Sequence, residues 1–197
     1  MFNHNRGLWG YTGTAADGQP LTVQSTGMGG PSAAIVLSEL AELGARRVVR
    51  VGTCGALDDS LKLGDLLIAT HAISADGTSK ALGAREQVPA SPEVLSALTE
   101  AAAVTGASTV TGAVASTDLF YDDRGEPERQ WLAAGAIAVE METAAVFALA
   151  AARGLQAGCL LIVSDVLFPS RTRISDDDLR AAERHSGELA AAALAAP

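Results

Sequence analysis

A chain of 197 residues suits one domain with a sizeable buried core, and although 48% of it is apolar, no uninterrupted apolar run approaches the roughly 18 residues of a membrane span. A net charge of −9 argues against a binder of nucleic-acid backbone, which relies on clustered Lys and Arg. Cys54 and Cys159 are too few for a disulfide framework, and with no basic, apolar-cored leader at its start the sequence reads as cytoplasmic.

In chain order, "LTVQSTGMGGPSAAIVLSELAELGARRVVRVGTCGAL" predicts a strand, a glycine turn, a helix, a short turn and a second strand. Ala34, Ile35, Leu37, Leu40 and Leu43 follow a 3.6-residue period with Gly44 near the helix end, and Val48 to Val51 predicts a buried strand. "GDLLIATHAI" reads as a strand, "SPEVLSALTEAAAVTG" as a helix capped by Ser91, and "TVTGAVASTDLFY" as a strand running into a loop. "AIAVEMETAAVFALAAARG" begins as a strand and becomes an alanine-rich helix. "GCLLIVSDVLF" is the last strong strand, and "DDDLRAAERHSGELAAAALAA" a closing helix whose acidic first turn complements its dipole. Such alternation predicts an α/β sandwich around a largely parallel or mixed sheet. Ligands collect at the carboxyl ends of such strands, where "GMGGPS", "RVGTCGA", "STDLFY", "VEMET" and "VSD" fall.

Each of these stretches carries candidate chemistry beside a plainer reading. Gly27, Gly29 and Gly30 allow backbone N–H groups to approach an anion or sugar, or simply make a tight turn. Arg50, with Thr53 and the glycines around it, makes a cradle for an oxyanion; alone it is a surface arginine at a strand end. Cys54 has no histidine nearby in sequence to activate it and reads as a small buried hydrophobe. Glu140 and Glu142 lie between apolar runs, and a buried carboxylate demands a partner. A carboxylate suits a vicinal diol and Met141 a sugar face, whereas Glu140 also suits a cap at the helix start. Asp165 sits at the mouth of a buried strand, where desolvation favours the protonated form a general acid needs; a lone aspartate also serves as a cap. Phe120 and Tyr121 read as core or as base-stacking residues. His4, His71 and His185 have no ligand spacing, so no metal site is predicted.

Taken together, "NRGLWGYTG", "GMGGPS", "RVGTCGAL", "LKLGDLLI", "STDLFY", "VEMETAAVF" and "VSD" resemble, in the same order, the nucleoside phosphorylase family that includes hexameric purine nucleoside phosphorylases and uridine phosphorylases. The resemblance covers essentially the whole chain and implies a three-layer α/β/α sandwich with a central mixed β-sheet. It implies phosphorolysis of a nucleoside to free base and ribose 1-phosphate, with phosphate as co-substrate and no cofactor. By the same resemblance Arg50 and Thr53 would bind phosphate, with Arg6 supplied to a neighbouring subunit's site. Met28, Met141 and Glu142 would hold the ribose, Phe120, Val139 and Glu140 would line the base pocket, and Asp165 would be the acid near N7 of a purine. The implied partners are small molecules and further copies of the chain, a dimer as catalytic unit and commonly a hexamer, with neither nucleic acid nor membrane.

The short "YDDRGEPERQ" link and the Ser164–Asp165 pair depart from the uridine-type pattern and favour purines, and Arg171, Arg173 and Arg180 are all candidates to assist the acid. A nucleosidase on the same fold is the enzymatic alternative, though it would need a general base for water that this N-terminal region lacks; a non-catalytic nucleoside binder is the other. Family members usually begin with a further strand and a "GDP" turn bearing another phosphate arginine. The expectation is therefore an N-terminally truncated chain with a central strand missing, its sheet edge uncovered.

Overall fold

The computed structural model describes residues 1–15, 17–122 and 127–195. After a 3-10 turn at Asn5–Gly7, Gly10–Thr14 (β1) and Pro20–Gln24 (β2) form an antiparallel hairpin, with Tyr11 opposite Val23. Helix α1 (Gly30–Glu42) starts behind Gly29, whose φ of 84° only glycine adopts freely, and carries Pro31 in its first turn. Then come β3 (Arg47–Ala56), β4 (Leu66–Ala75), α2 (Gly77–Ala81), β5 (Gln87–Pro89) and α3 (Pro92–Thr105). The chain continues through β6 (Thr109–Thr117), α4 (Pro127–Ala133), β7 (Ala136–Glu140) and α5 (Thr143–Arg153). It closes with β8 (Gln156–Val166), β9 (Thr172–Arg173) and α6 (Asp176–Ala195).

Period-two alternation in the strands sets the layers. Leu66 and Ile68 of β4 pack with Leu160 and Ile162 of β8 against α3 and α6, where Val94, Leu98, Leu189 and Ala193 are buried. The alternate residues Leu67, Ala69, Leu161 and Val163 face the other way, onto Leu37 of α1 and Phe147 of α5. Both faces are covered, so these strands are apolar almost throughout, as in a sheet sandwiched between helices.

The sheet has seven strands in the order β5-β4-β6-β7-β3-β8-β9. It is mixed: β4–β6, β6–β7 and β3–β8 are parallel, whereas β3–β7, β4–β5 and β8–β9 are antiparallel. An additional antiparallel pairing of β4 with β8 curls the sheet back on itself. The three-layer mixed α/β expectation therefore holds, with three local corrections. "LTVQ" belongs to the hairpin and not to the main sheet, because its partner is the neighbouring "GYTGT". "RVGTCGA" is no loop: β3 runs through to Ala56, and Val51 is 39% exposed instead of buried. Ser91 precedes α3 without capping it; its hydroxyl accepts the Ala157 N–H of β8 at 2.8 Å and ties the helix to the sheet.

Among the described residues β3 pairs with β7 through Gly55 and Ala56 alone. Further back, Arg47 to Val51 line a groove of about 990 Å³, walled by Leu37 and Leu40 of α1 and by Leu21 and Thr22 of the hairpin. Among the described residues no strand pairs with this stretch of β3 on the side away from β8.

Candidate active site

Where β7 hands over to α5, the N–H groups of the first helical turn have no partner within the helix. The Glu140 carboxylate supplies one. It accepts the Glu142 N–H at 2.8 Å and the Thr143 N–H at 2.9–3.0 Å. Ser116, opposite Glu140 in the parallel β6–β7 pairing, donates its hydroxyl to Oε1 and accepts the Ala144 N–H at 2.8 Å. The capping reading of Glu140 is thus realised, by a residue just outside the helix.

Both glutamates also share a cation. Arg50 of β3 donates Nε at 3.2 Å and Nη2 at 3.0 Å to Glu140 Oε2, and Nη2 also meets Glu142 Oε2. The other Glu142 oxygen accepts the N–H of Gly29, at the start of α1. Burial alone would lower the Arg50 pKa, but the surrounding acids, Glu140 foremost, outweigh it and raise the value above that of a free guanidinium. Gly52 is part of the arrangement, since a Cβ there would collide with Arg50 Nη1. Thr53 follows on the same strand and is exposed.

A second cluster lies across the strand ends. Gly55 of β3 is the register partner of Val139 on β7 and of Asp165 on β8, with an irregularity between Cys54 and Gly55. Val139 and Asp165 therefore stand two strand spacings apart, roughly 10 Å. Asp165 accepts the Ser164 hydroxyl and the Arg171 Nε–H, both at 2.8 Å. The Arg171 guanidinium lies over the Phe120 ring, 4.8 Å from its centre, and Phe120 meets Tyr121 edge-on at 4.9 Å. Of the three candidate arginines, Arg171 is the one on the acid. Arg180 pairs with Asp177 on the surface at 3.4 Å, and Arg173 is the β9 register partner of Asp165.

The remaining predicted residues are more open. Met28 is 87% exposed, Phe120 57%, and Met141 is partly buried between the two glutamates in sequence. Arg6 is exposed in the N-terminal turn with φ at 54°, a left-handed conformation uncommon outside glycine. Cys54 and Cys159 are buried, and that burial pushes both thiols up, Cys159 to about 12, so neither is poised as a nucleophile. Ser116 was not foreseen as a site group, because only its place opposite Glu140 in the β6–β7 pairing brings it to that carboxylate; the Gly29 N–H, marked in the sequence for an anion or a sugar, meets the Glu142 carboxylate instead. Part of the "YDDRGEPERQ" link, residues 123–126, lies outside the described residues.

An arginine clamped by two carboxylates at the strand ends, with an Asp165–Arg171 pair and the Phe120 ring in a second cluster, forms the polar centre of this α/β fold. A family model described as the phosphorylase superfamily matches residues 1–196, and the chain belongs to that family. It is 39% identical over 164 residues to a guanosine phosphorylase of Halorubrum lacusprofundi, covering 82% of this chain and 68% of the relative. It is 38% identical over 179 residues to a DeoD-type purine nucleoside phosphorylase of Clostridium perfringens, covering 89% and 76%. A uridine phosphorylase of Treponema pallidum is 38% identical over 173 residues, covering 81% and 66%.

Proposed function

We propose that this chain cleaves the N-glycosidic bond of purine nucleosides with phosphate, giving free base and ribose 1-phosphate. The observation that carries the reading is the Arg50–Glu142 pair, a cation for phosphate in direct contact with a carboxylate for a sugar diol. Names of the relatives, guanosine, purine nucleoside and uridine phosphorylase, support the reaction class. The Ser164–Asp165–Arg171 group favours a purine, whose N7 can take a proton.

In this reading phosphate lies against Arg50 and Thr53, with Arg6 reaching in from a neighbouring copy. Met28 and Met141 flank the ribose and Glu142 accepts its hydroxyls. Phe120 and Val139 face the base. Glu140, its side chain 1% exposed, lines the base side as the anchor of Arg50 and α5, with no free carboxylate to offer. A phosphate oxygen bonds to C1′ as the C1′–N9 bond breaks, and the electron pair departs with the base. Asp165, having taken a proton from solvent, passes it to N7, while Arg50 holds the anion against the positive charge that develops on the sugar. A cytoplasmic homo-oligomer with a dimeric catalytic unit completes the proposal.

Incubating inosine, adenosine and uridine with and without phosphate tests it. Purine base should appear only with phosphate. Release that ignores phosphate would replace phosphorolysis by hydrolysis, and binding without turnover would reduce the chain to a nucleoside binder.

A further inference from the structure

We infer that Glu142 is shared between the anion and the sugar, so that nucleoside and phosphate each promote the other's binding through Arg50; this rests on the phosphorolytic reading above. A guanidinium has five N–H donors in a planar fork. In the free chain Nε is spent on Glu140, and Nη2 is divided between Glu140 and Glu142. An arriving anion therefore meets Nη1, lying against Gly52, and lacks the two-nitrogen edge that makes arginine a strong oxyanion ligand.

The two carboxylates differ in how easily they let go. Glu140 is tied by Ser116, by two backbone N–H groups and by Arg50, and its side chain is 1% exposed. Among the described residues the Glu142 carboxylate is held by Arg50 and the Gly29 N–H alone, and its side chain is 9% exposed. Glu142 is thus the partner that can turn. Phosphate alone must displace it from Nη2 and leave a buried carboxylate short of a cation, which is costly. A ribose diol gives that carboxylate new donors, and the Nη2 N–H that Glu142 held becomes free for phosphate, beside Nη1. Linkage makes the effect reciprocal, with one factor for both ligands.

The test titrates inorganic phosphate calorimetrically into the intact protein, alone and with a saturating C-nucleoside, whose carbon–carbon glycosidic bond phosphate does not cleave. Phosphate should bind about tenfold or more tightly in its presence, within the usual range of coupling between sites. The 2′-deoxy form, which offers Glu142 one hydroxyl fewer, should give a clearly smaller gain. In Glu142→Gln, phosphate alone should bind more tightly than to the unaltered chain, and the C-nucleoside should change that affinity little. Unequal gains from the two nucleosides carry the test even where the variant does not fold. Equal phosphate affinity with and without bound C-nucleoside overturns the coupling, as does weaker phosphate binding by a folded Glu142→Gln. Phosphate-dependent base release, assayed separately, then shows whether phosphorolysis itself survives.

Discussion

Glu140 and Glu142 sit one residue apart, yet the free energy of replacing them should differ. Glu140→Gln weakens a carboxylate that serves two backbone N–H groups, a hydroxyl and a buried guanidinium together, so its loss should approach the roughly 3–5 kcal/mol typical of breaking a buried ion pair. Glu142→Gln leaves Arg50 paired to Glu140 and should cost clearly less; denaturant titration of both variants measures the gap. In catalysis the order reverses. Glu142→Ala should lose about 1.5–3 kcal/mol of transition-state binding on ribonucleosides and less on 2′-deoxyribonucleosides, measured as kcat/KM, and equal losses would reject the diol assignment. The sequence made plain that these acids needed a partner, because apolar runs flank them. It could not say that the partner was Arg50, since 90 residues separate Arg50 from Glu140 and only sheet register brings them together.

At the scale of elements, long apolar periods were legible and short pieces were not. β4, β6 and β8 announce themselves by apolar runs bounded by turn residues, and α3 and α6 by a 3.6-residue stripe, in elements of nine or more residues. β5 has three residues, β9 two and α2 five, too few for any period to emerge, and β1, with two glycines among its five residues, carries no clear alternation until β2 pairs with it. That β3 runs on through "RVGTCGA" to Ala56 is hidden in the sequence because glycine usually weakens a strand, whereas here Gly52 makes room for Arg50. Gly52→Ala should therefore push the guanidinium off its carboxylates. Overpacking of this kind costs about 1–3 kcal/mol, and the raised KM for phosphate should exceed the change in KM for nucleoside. The link from β8 to β9 carries the matching test for the acid. Arg171→Ala frees one Asp165 oxygen and uncovers the Phe120 ring, so turnover should fall most for nucleosides whose base needs the proton. Unchanged kcat for adenosine and inosine would remove Arg171 from the mechanism.

On the scale of the whole molecule, two features point outward from a well-filled core. Among the described residues no strand pairs with Arg47 to Val51 of β3 on the groove side, and the chain spans 68% and 76% of the guanosine phosphorylase and the DeoD-type purine nucleoside phosphorylase it matches. The hairpin exposes Tyr11 and Val23 directly opposite each other, with Trp9 exposed just before β1, an apolar surface in keeping with the proposed contact with another copy, while the exposed Phe2 lies on the groove side against Gly10. Arg6 stands in the same region and is exposed, in keeping with the proposal that it serves a neighbouring copy's site. A mixing experiment tests the proposed sharing. Arg6→Ala lacks the donated arginine but keeps its own Glu142, and Glu142→Ala the reverse. In a hybrid dimer one of the two sites then combines an intact Glu142 with an intact Arg6. Random exchange puts half of the subunits in hybrids, so two inactive variants should regain about a quarter of the unaltered activity when mixed and re-equilibrated. Activity that stays at the sum of the separate variants, with subunit exchange verified by light scattering and mass labelling, would show that Arg6 acts within its own subunit or not at all.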